Sequence, residues 1–418
     1  MNYEDRVEYR ERVVQVAWRG GSIETNESKS RVRGIRVLVE GEWTIYSTTE
    51  ELRWEQLEER IKAISRAPSV KIDRKPVQIQ LHKGRVALGR PAGEPVAECL
   101  RVASIAKSIL QEKGLTGEIV AVYSESQRTI IHHEGTSQED KVVSELYIFA
   151  ETRTEGTRYV GSSTAAWLGP PAQIAAKDIE ILVEKAARRS VSALRAKKIS
   201  PLERGAKTVI LAEEASAAFF HELAHMLEAD NPEHVKPGTL VSTTSLQIKD
   251  DPFSEASPAS MVFDDEAAPT RKRSLVEDGV VVGLLHTRET ASVYRDHPGS
   301  ARGLFHKPKA MHTTLAIGGG DWKEGEVIEE TREGILIDGV VRAELWRGIV
   351  RLVPEETWIV SRGEVREPVK IEEVRVPLIK ALTSIDAVGR KTYLRVSYDK
   401  GHIVAERSPW IRTVAYVF

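Results

Sequence analysis

The hydrophobic pattern changes character along the chain. Glu11–Trp18 and Arg31–Val39 follow a period of two and are rich in Val and Ile, so they predict strands, and Gly20-Gly21 marks a turn between strand-like runs. Glu42–Ser47 continues the sheet after a Glu40-Gly41 turn. Thr49–Arg66 then takes helical spacing, with Leu52, Leu57, Ile61 and Ile64 on one side. Pro68–Pro95 carries several prolines and glycines and is expected to be an irregular connection or a short-strand excursion. A second helix is expected over Val96–Lys113, ended by Gly114, and an Ala-rich amphipathic helix over Ala175–Lys197. Between them, strands are expected at Glu118–Ser124, Thr129–His133, Ser144–Glu151 and Thr157–Ala166.

After a short strand at Thr208–Leu211, a helix is expected over Ala212–Ala229, stopped by Asn231-Pro232. Beyond it, Val, Ile and Thr runs punctuated by Gly and Pro continue to Phe418. The fold class this predicts is α+β: an N-terminal mixed α/β domain over residues 1–200 and a β-rich C-terminal domain over 201–418.

The helix at 212–229 carries His221-Glu222-Leu223-Ala224-His225. Histidines four apart lie one above the other on one helix face, where both imidazoles can converge on one Zn²⁺ at about 2.0–2.1 Å. Glu222 lies about 100° round the helix, beside that face, where it can take a proton from a metal-bound water without ligating the metal. With 11 His and 62 acidic residues in 418, about 0.04 such matches are expected by chance, so the motif outweighs coincidence. A catalytic zinc needs a third protein ligand. Glu228 is too far along the helix from His221 for that and is expected to be an outer partner or a cap, so the third ligand comes from elsewhere.

Composition narrows the class. Sixty basic and 62 acidic residues leave a formal net charge of -2, which argues against a dedicated nucleic-acid binder. Cys99 is the only cysteine, which excludes an intrachain disulfide or a Cys-based zinc cluster and fits a reducing compartment. No stretch resembles a signal peptide, and no run approaches the roughly 20 apolar residues of a membrane span. A soluble cytoplasmic protein is the expectation.

Other polar groups read more plainly. His306 and His312, flanking Lys307-Pro308-Lys309, are expected to be surface histidines. His132 and His133 would point to opposite strand faces. Asp264-Asp265-Glu266, before Pro269, is expected to be a turn or a solvated edge, and Gly318-Gly319-Gly320 a flexible turn. Cys99 is expected to be a buried small side chain.

Three segments resemble the TldD/PmbA family of metallopeptidases: Phe219–Asp230 (FFHELAHMLEAD), Val262–Ala291 (VFDDEAAPTRKRSLVEDGVVVGLLHTRETA) and Arg31–Thr48 (RVRGIRVLVEGEWTIYST). The resemblance implies an N-terminal α/β domain, a β-rich C-terminal metal domain and a dimer with a large internal cleft. It also implies pairing of a metal-bearing TldD-type subunit with a metal-free PmbA-type partner, acting on small or unfolded peptides. His221, Glu222 and His225 put this chain on the TldD side.

Two departures stand out. The family pattern generally has one more residue between the histidines. Its third ligand is a cysteine near the C-terminus, whereas the comparable stretch here is Tyr398-Asp399-Lys400-Gly401-His402. His402 is therefore the first candidate for third ligand, Asp399 the second, and Tyr398, at the aligned position, the weakest. The expectation is a zinc peptidase with Glu222 as general base and His221, His225 and His402 on the metal, working as a homodimer or with a PmbA-like subunit. The alternatives are a zinc hydrolase of another amide and a non-catalytic peptide-binding subunit of the same fold, which has no need of Glu222.

Overall fold

In the structure, a computed structural model that describes residues 3–39, 41–65, 75–255 and 257–418, the first strands outrun their apolar cores: β1 is Tyr3–Arg19 and β2 Ser22–Val39. They pair antiparallel throughout, ending with Arg19 opposite Ser22. Gly20 and Gly21 take φ of 55° and 91°, the doubly positive turn that matches the twist of a hairpin and that glycine adopts at least cost. β3 (Glu42–Thr48), β4 (Gly84–Leu88), β5 (Thr116–His132), β6 (Gly135–Thr154) and β7 (Thr157–Leu168) complete a sheet of order β3-β2-β1-β5-β6-β4, in which β7 shares the outer edge of β6. The two strands expected at Glu118–Ser124 and Thr129–His133 are one, because polar Gln127 stays in the ladder opposite Asp140. Arg66 of the first expected helix, Glu40 of the expected turn and residues 68–74 of the expected connection lie outside the described residues; the rest of that connection contains β4.

Three helices pack on this sheet: α1 (Trp54–Ile64), α2 (Pro95–Glu112) and α3 (Ala176–Arg195). Proline suits the first turn of α2, and Gly114 at φ 70° supplies the left-handed stop. Cys99, Val102, Ala103, Ala106 and Leu110 repeat at three and four residues and bury that face against Ile119, Ala121 and Ile148. Each large aliphatic side chain so buried contributes roughly 1.5–3 kcal/mol.

From residue 205 the chain is mostly strand. The strands that matter below are β8 (Gly205–Leu211), β9 (Thr314–Ile317), β10 (Glu333–Trp346), β11 (Ile349–Ser361), β12 (Val374–Pro377), β13 (Ala387–Asp399) and β14 (His402–Val417), with α4 (Glu213–His225) following β8. β14 pairs with β8, β8 with β10, β10 with β11, β11 with β12 and β12 again with β14, so these five close into a barrel. Its core includes Val209, Ile337, Val350, Val374 and Ile411. β13 hangs on the free part of β14 as a hairpin. The class is α+β, as the alternation of patterns predicted.

Two expectations are met only in part, one where the halves meet and one within the second half. Asp264, Asp265 and Glu266 form a turn, but all three are buried. Asp264 accepts the N–H groups of Glu266, Ala268 and Ala301, each at 2.9 Å, and Glu266 accepts that of Arg288 at 2.6 Å. Asp265 pairs with Arg128 of β5 and accepts Gly303 N–H at 2.8 Å. These carboxylates are the hydrogen-bond acceptors of a seam against the first sheet, which is why they leave water. Gly318-Gly319-Gly320 is pinned, not loose: a Cβ at Gly319 or Gly320 would stand 2.5 or 2.4 Å from a backbone carbonyl oxygen of β13. Glycine there permits close backbone approach.

Candidate metal centre

β8 ends at the barrel rim, where Ala212 donates its N–H to Ile337 O at 2.9 Å and α4 begins. Glu213 and Glu214 occupy the first turn of α4, where carboxylates favour the helix dipole, and both pair with Lys185 of α3 at 2.7 and 2.9 Å. The helix stops at His225, one turn before the expected Ala229, because Met226–Ala229 turn away and Asn231 Nδ2 caps His225 O at 2.7 Å. His221 and His225 thus sit in the last turns of α4, their rings 5.2 Å apart and 87° to one another.

Each imidazole is held from behind. His221 Nδ1 is 2.7 Å from Glu406 Oε1, and His225 Nδ1 is 2.8 Å from Glu228 Oε1. A carboxylate on Nδ1 holds the proton there and leaves Nε2 as the free lone pair, which is the tautomer a metal ligand needs. Burial works against a protonated His225, but Glu228 outweighs it and lifts the pKa above the ordinary value. Burial alone would also raise the Glu406 carboxyl; Arg395, His221 and His312 outweigh it and hold it well below the usual carboxylate range.

The third donor that comes to these histidines is Asp399. His221, His225 and Asp399 have their donor atoms within 4.8 Å of one another, and His225 Nε2 is 4.0 Å from Asp399 Oδ2. Ligands on a tetrahedral ion at ~2.0–2.1 Å would stand ~3.4 Å apart, so His225 and Asp399 would close by ~0.6 Å and no pair of the group by more than ~1.4 Å. The nearby ammonium of Lys400, 3.2 Å from Asp399 Oδ2, is half exposed and free to turn aside. This group opens on a cavity of about 590 Å³ that Glu222 also lines, and among the described residues the Glu222 carboxylate has no hydrogen-bond partner. Two imidazole nitrogens and a carboxylate facing a cavity fit a divalent metal, which takes the place of a proton on each ring, with a position left for water or substrate.

His402 lies apart from this group. It pairs with Asp399 across the turn at Lys400-Gly401, yet its ring stands 5.9 Å from that of His306. Burial pushes its pKa down, with Asp265 opposing and Arg302 adding to the shift. The hairpin therefore brings Asp399, not His402, to α4. Tyr398 turns to the first sheet, donating to Glu145 Oε1 at 2.9 Å.

A second cluster shares His221: His312 and Glu406, with His312 Nε2 at 3.2 Å from Glu406 Oε1. Glu406 already accepts from two imidazoles and from Arg395 Nη1 at 2.9 Å, so three of its roughly four acceptor sites are taken and it serves as an outer carboxylate. His312 corrects the surface reading: it is fully buried, because Asp250 draws Thr313 inward by accepting its N–H and O–H at 2.8 and 2.7 Å. His306 is exposed, as expected. Glu406 and Arg395 escaped the sequence reading, although one signal existed. Counting outward from the Lys400-Gly401 turn puts Arg395 directly opposite Glu406.

Comparisons with known proteins agree in direction. Residues 204–409 match the family described as the PmbA/TldA metallopeptidase C-terminal domain. A metalloprotease of Methanothermobacter thermautotrophicus is 27% identical over 425 residues, covering 95% of this chain and 91% of that protein. A metalloprotease of Synechocystis is 28% identical over 408 residues, covering 91% and 85%. The crystal structure of TldE from Thermococcus kodakarensis superposes with a TM-score of 0.78 at 15% identity, covering 99% of this chain and 96% of that one, a likeness of fold.

Proposed function

We propose that this chain, which belongs to the TldD/PmbA family, is a zinc-dependent peptidase that hydrolyses peptides or unfolded segments, with Zn²⁺ held by His221, His225 and Asp399. The observation that carries the reading is the pair of carboxylates on the two Nδ1 atoms, Glu406 at 2.7 Å and Glu228 at 2.8 Å, facing an open cavity beside an unpartnered Glu222. Two relatives named metalloproteases that match most of the chain support it. Bound there, zinc would polarise an amide carbonyl and make a water acidic near neutral pH.

The chain's own residues do the rest. Glu222 takes one proton from the attacking water as its oxygen bonds to the carbonyl carbon and the C=O pair moves onto oxygen. That pair returns as the C–N bond breaks, and Glu222 passes the proton to the leaving nitrogen, so one water is consumed and the carboxylate is restored. Asp399 brings the anionic third ligand that the family's cysteine would otherwise supply. The likeness to TldE supports a further part of the reading, a pair with a PmbA-like or second TldD-type subunit, and the single buried Cys99 suits a cytoplasmic setting. Among the described residues no helix is long and apolar enough to cross a membrane.

Glu222→Gln tests the reading. It should hold zinc like the wild type while peptide cleavage falls by about 10²–10⁴. Full cleavage by this variant would remove Glu222 as the base.

A further inference from the structure

β13 carries more chemistry than its metal ligand. Arg395, Ser397 and Asp399 follow a period of two and share one strand face. Arg395 stands directly opposite Glu406, and its Nη1 donates to Glu406 Oε2 at 2.9 Å and to Ser397 Oγ at 3.2 Å. Glu406 is itself fully buried and gives its other oxygen to His221, so one carboxylate holds both the guanidinium and the imidazole. Those two bonds occupy Nη1. Among the described residues the Nε and Nη2 hydrogens have no acceptor, and the side chain is 26% exposed.

The side chain borders the reaction space. Arg395 lines the cavity that holds His221, Glu222, His225 and Asp399, and it also lines the adjoining cleft of about 1480 Å³ between α3, β7 and β13. Of all residues on the two walls, Arg395, Ser397 and Tyr398 are common to both. A peptide passing from cleft to metal site would cross this guanidinium.

The geometry points to Arg395 as a further catalytic residue: it donates an N–H to the carbonyl oxygen of the scissile amide as negative charge builds on that atom. This role rests on the peptidase reading above. A guanidinium clamped at one corner by a buried carboxylate needs no reorganisation when the charge appears, which is the condition under which such donors accelerate acyl transfer. Arginine suits the task because its planar fork serves Glu406 and substrate at once, whereas the single ammonium of lysine serves one or the other.

Arg395→Lys is the test, made on zinc-loaded protein. The expected result is an unchanged zinc content, a kcat lower by about 100-fold and a KM within a few-fold of wild type. A phosphinic peptide, whose tetrahedral phosphorus oxygen stands where the carbonyl oxygen becomes charged, should lose affinity by a similar factor in calorimetry. Added guanidinium ion should restore part of the kcat of Arg395→Ala. An Arg395→Lys enzyme with full kcat and full inhibitor affinity overturns the role. So does one that loses zinc in proportion to activity, since Arg395 would then only support Glu406. A zinc-loaded wild type that cleaves no peptide overturns the peptidase reading, and this role with it.

Discussion

At the seam between the halves, Asp265 lies against Arg128 and accepts Gly303 N–H, while Asp264 alone takes three backbone N–H groups. At the candidate metal cavity, His221 and His225 also hydrogen-bond carboxylates, through Nδ1 alone, and Asp399 and Glu222 line the opening with them. Both regions are packed with charge, and both are mostly buried. They differ in how far the donors and acceptors close on one another: at the seam most do, with Arg128 Nε a buried donor left over. A closed set contributes to the fold; a set with its lone pairs left over is where a metal and a substrate can be bound. Burying charge is costly in either case, so the unspent valences at the cavity are a better sign of chemistry than the number of acidic residues.

The largest effect that would test this contrast lies at the seam. Arg128 is 3.4 Å from Glu139 and paired with Asp265, and all three side chains are less than a tenth exposed. Arg128→Met would take the nearer cation from two buried carboxylates, leaving Glu139 only Lys141 at 3.9 Å, and chemical denaturation should show a loss of about 3–5 kcal/mol. The exposed pair of Arg366 with Glu364 gives the control, where Arg366→Ala should cost no more than about 1 kcal/mol. Similar small losses for both variants would mean that the seam is solvated and the contrast false.

At the cavity the matching comparison is between two neighbours on one hairpin. Asp399→Ala should weaken zinc by about 100-fold or more, since removing an outer partner alone costs 10–100-fold. His402→Ala should change zinc affinity less than about twofold, because its ring lies with His306 and not with His225. Competition against a chromogenic chelator measures both. The reverse pattern would return the third-ligand role to His402 and leave Asp399 as a surface carboxylate.

How much of this could be read from the chain depends on distance in sequence. The spacing of His221 and His225, the helix around them and the Gly20-Gly21 turn are local, and local rules reach them. Asp399 was within view because it lies in the short stretch that replaces the family's cysteine. His312 reads as a surface histidine and Glu406 and Arg395 show only in the register counted from the turn, because their roles come from strand pairing and from the hold of Asp250 on Thr313, which no periodicity records. The same holds for Asp264–Glu266. A run of three acids before a proline looks solvated unless one knows that Arg128, more than 130 residues earlier, will be laid across it.

The last expected effect, read as a slope with pH, is the most specific to a closed set. Burial, and then the neighbouring Asp264, push the Glu266 carboxyl up to about 8, with Arg288 and Arg36 opposing. The folded protein therefore holds a proton that the unfolded chain, with a glutamate near 4.3, has released by neutral pH. Stability from this group is complete below the unfolded value and is lost as pH rises towards 8, at no more than about 1.4 kcal/mol per pH unit. Glu266→Gln keeps an acceptor for Arg288 N–H and cannot ionise. Its stability should equal the wild type's near pH 4 and exceed it at pH 8, with the wild type's downward slope between them flattened. Parallel pH profiles for the two proteins would show that Glu266 titrates as it does in water, and the seam would then be open where it is described as closed.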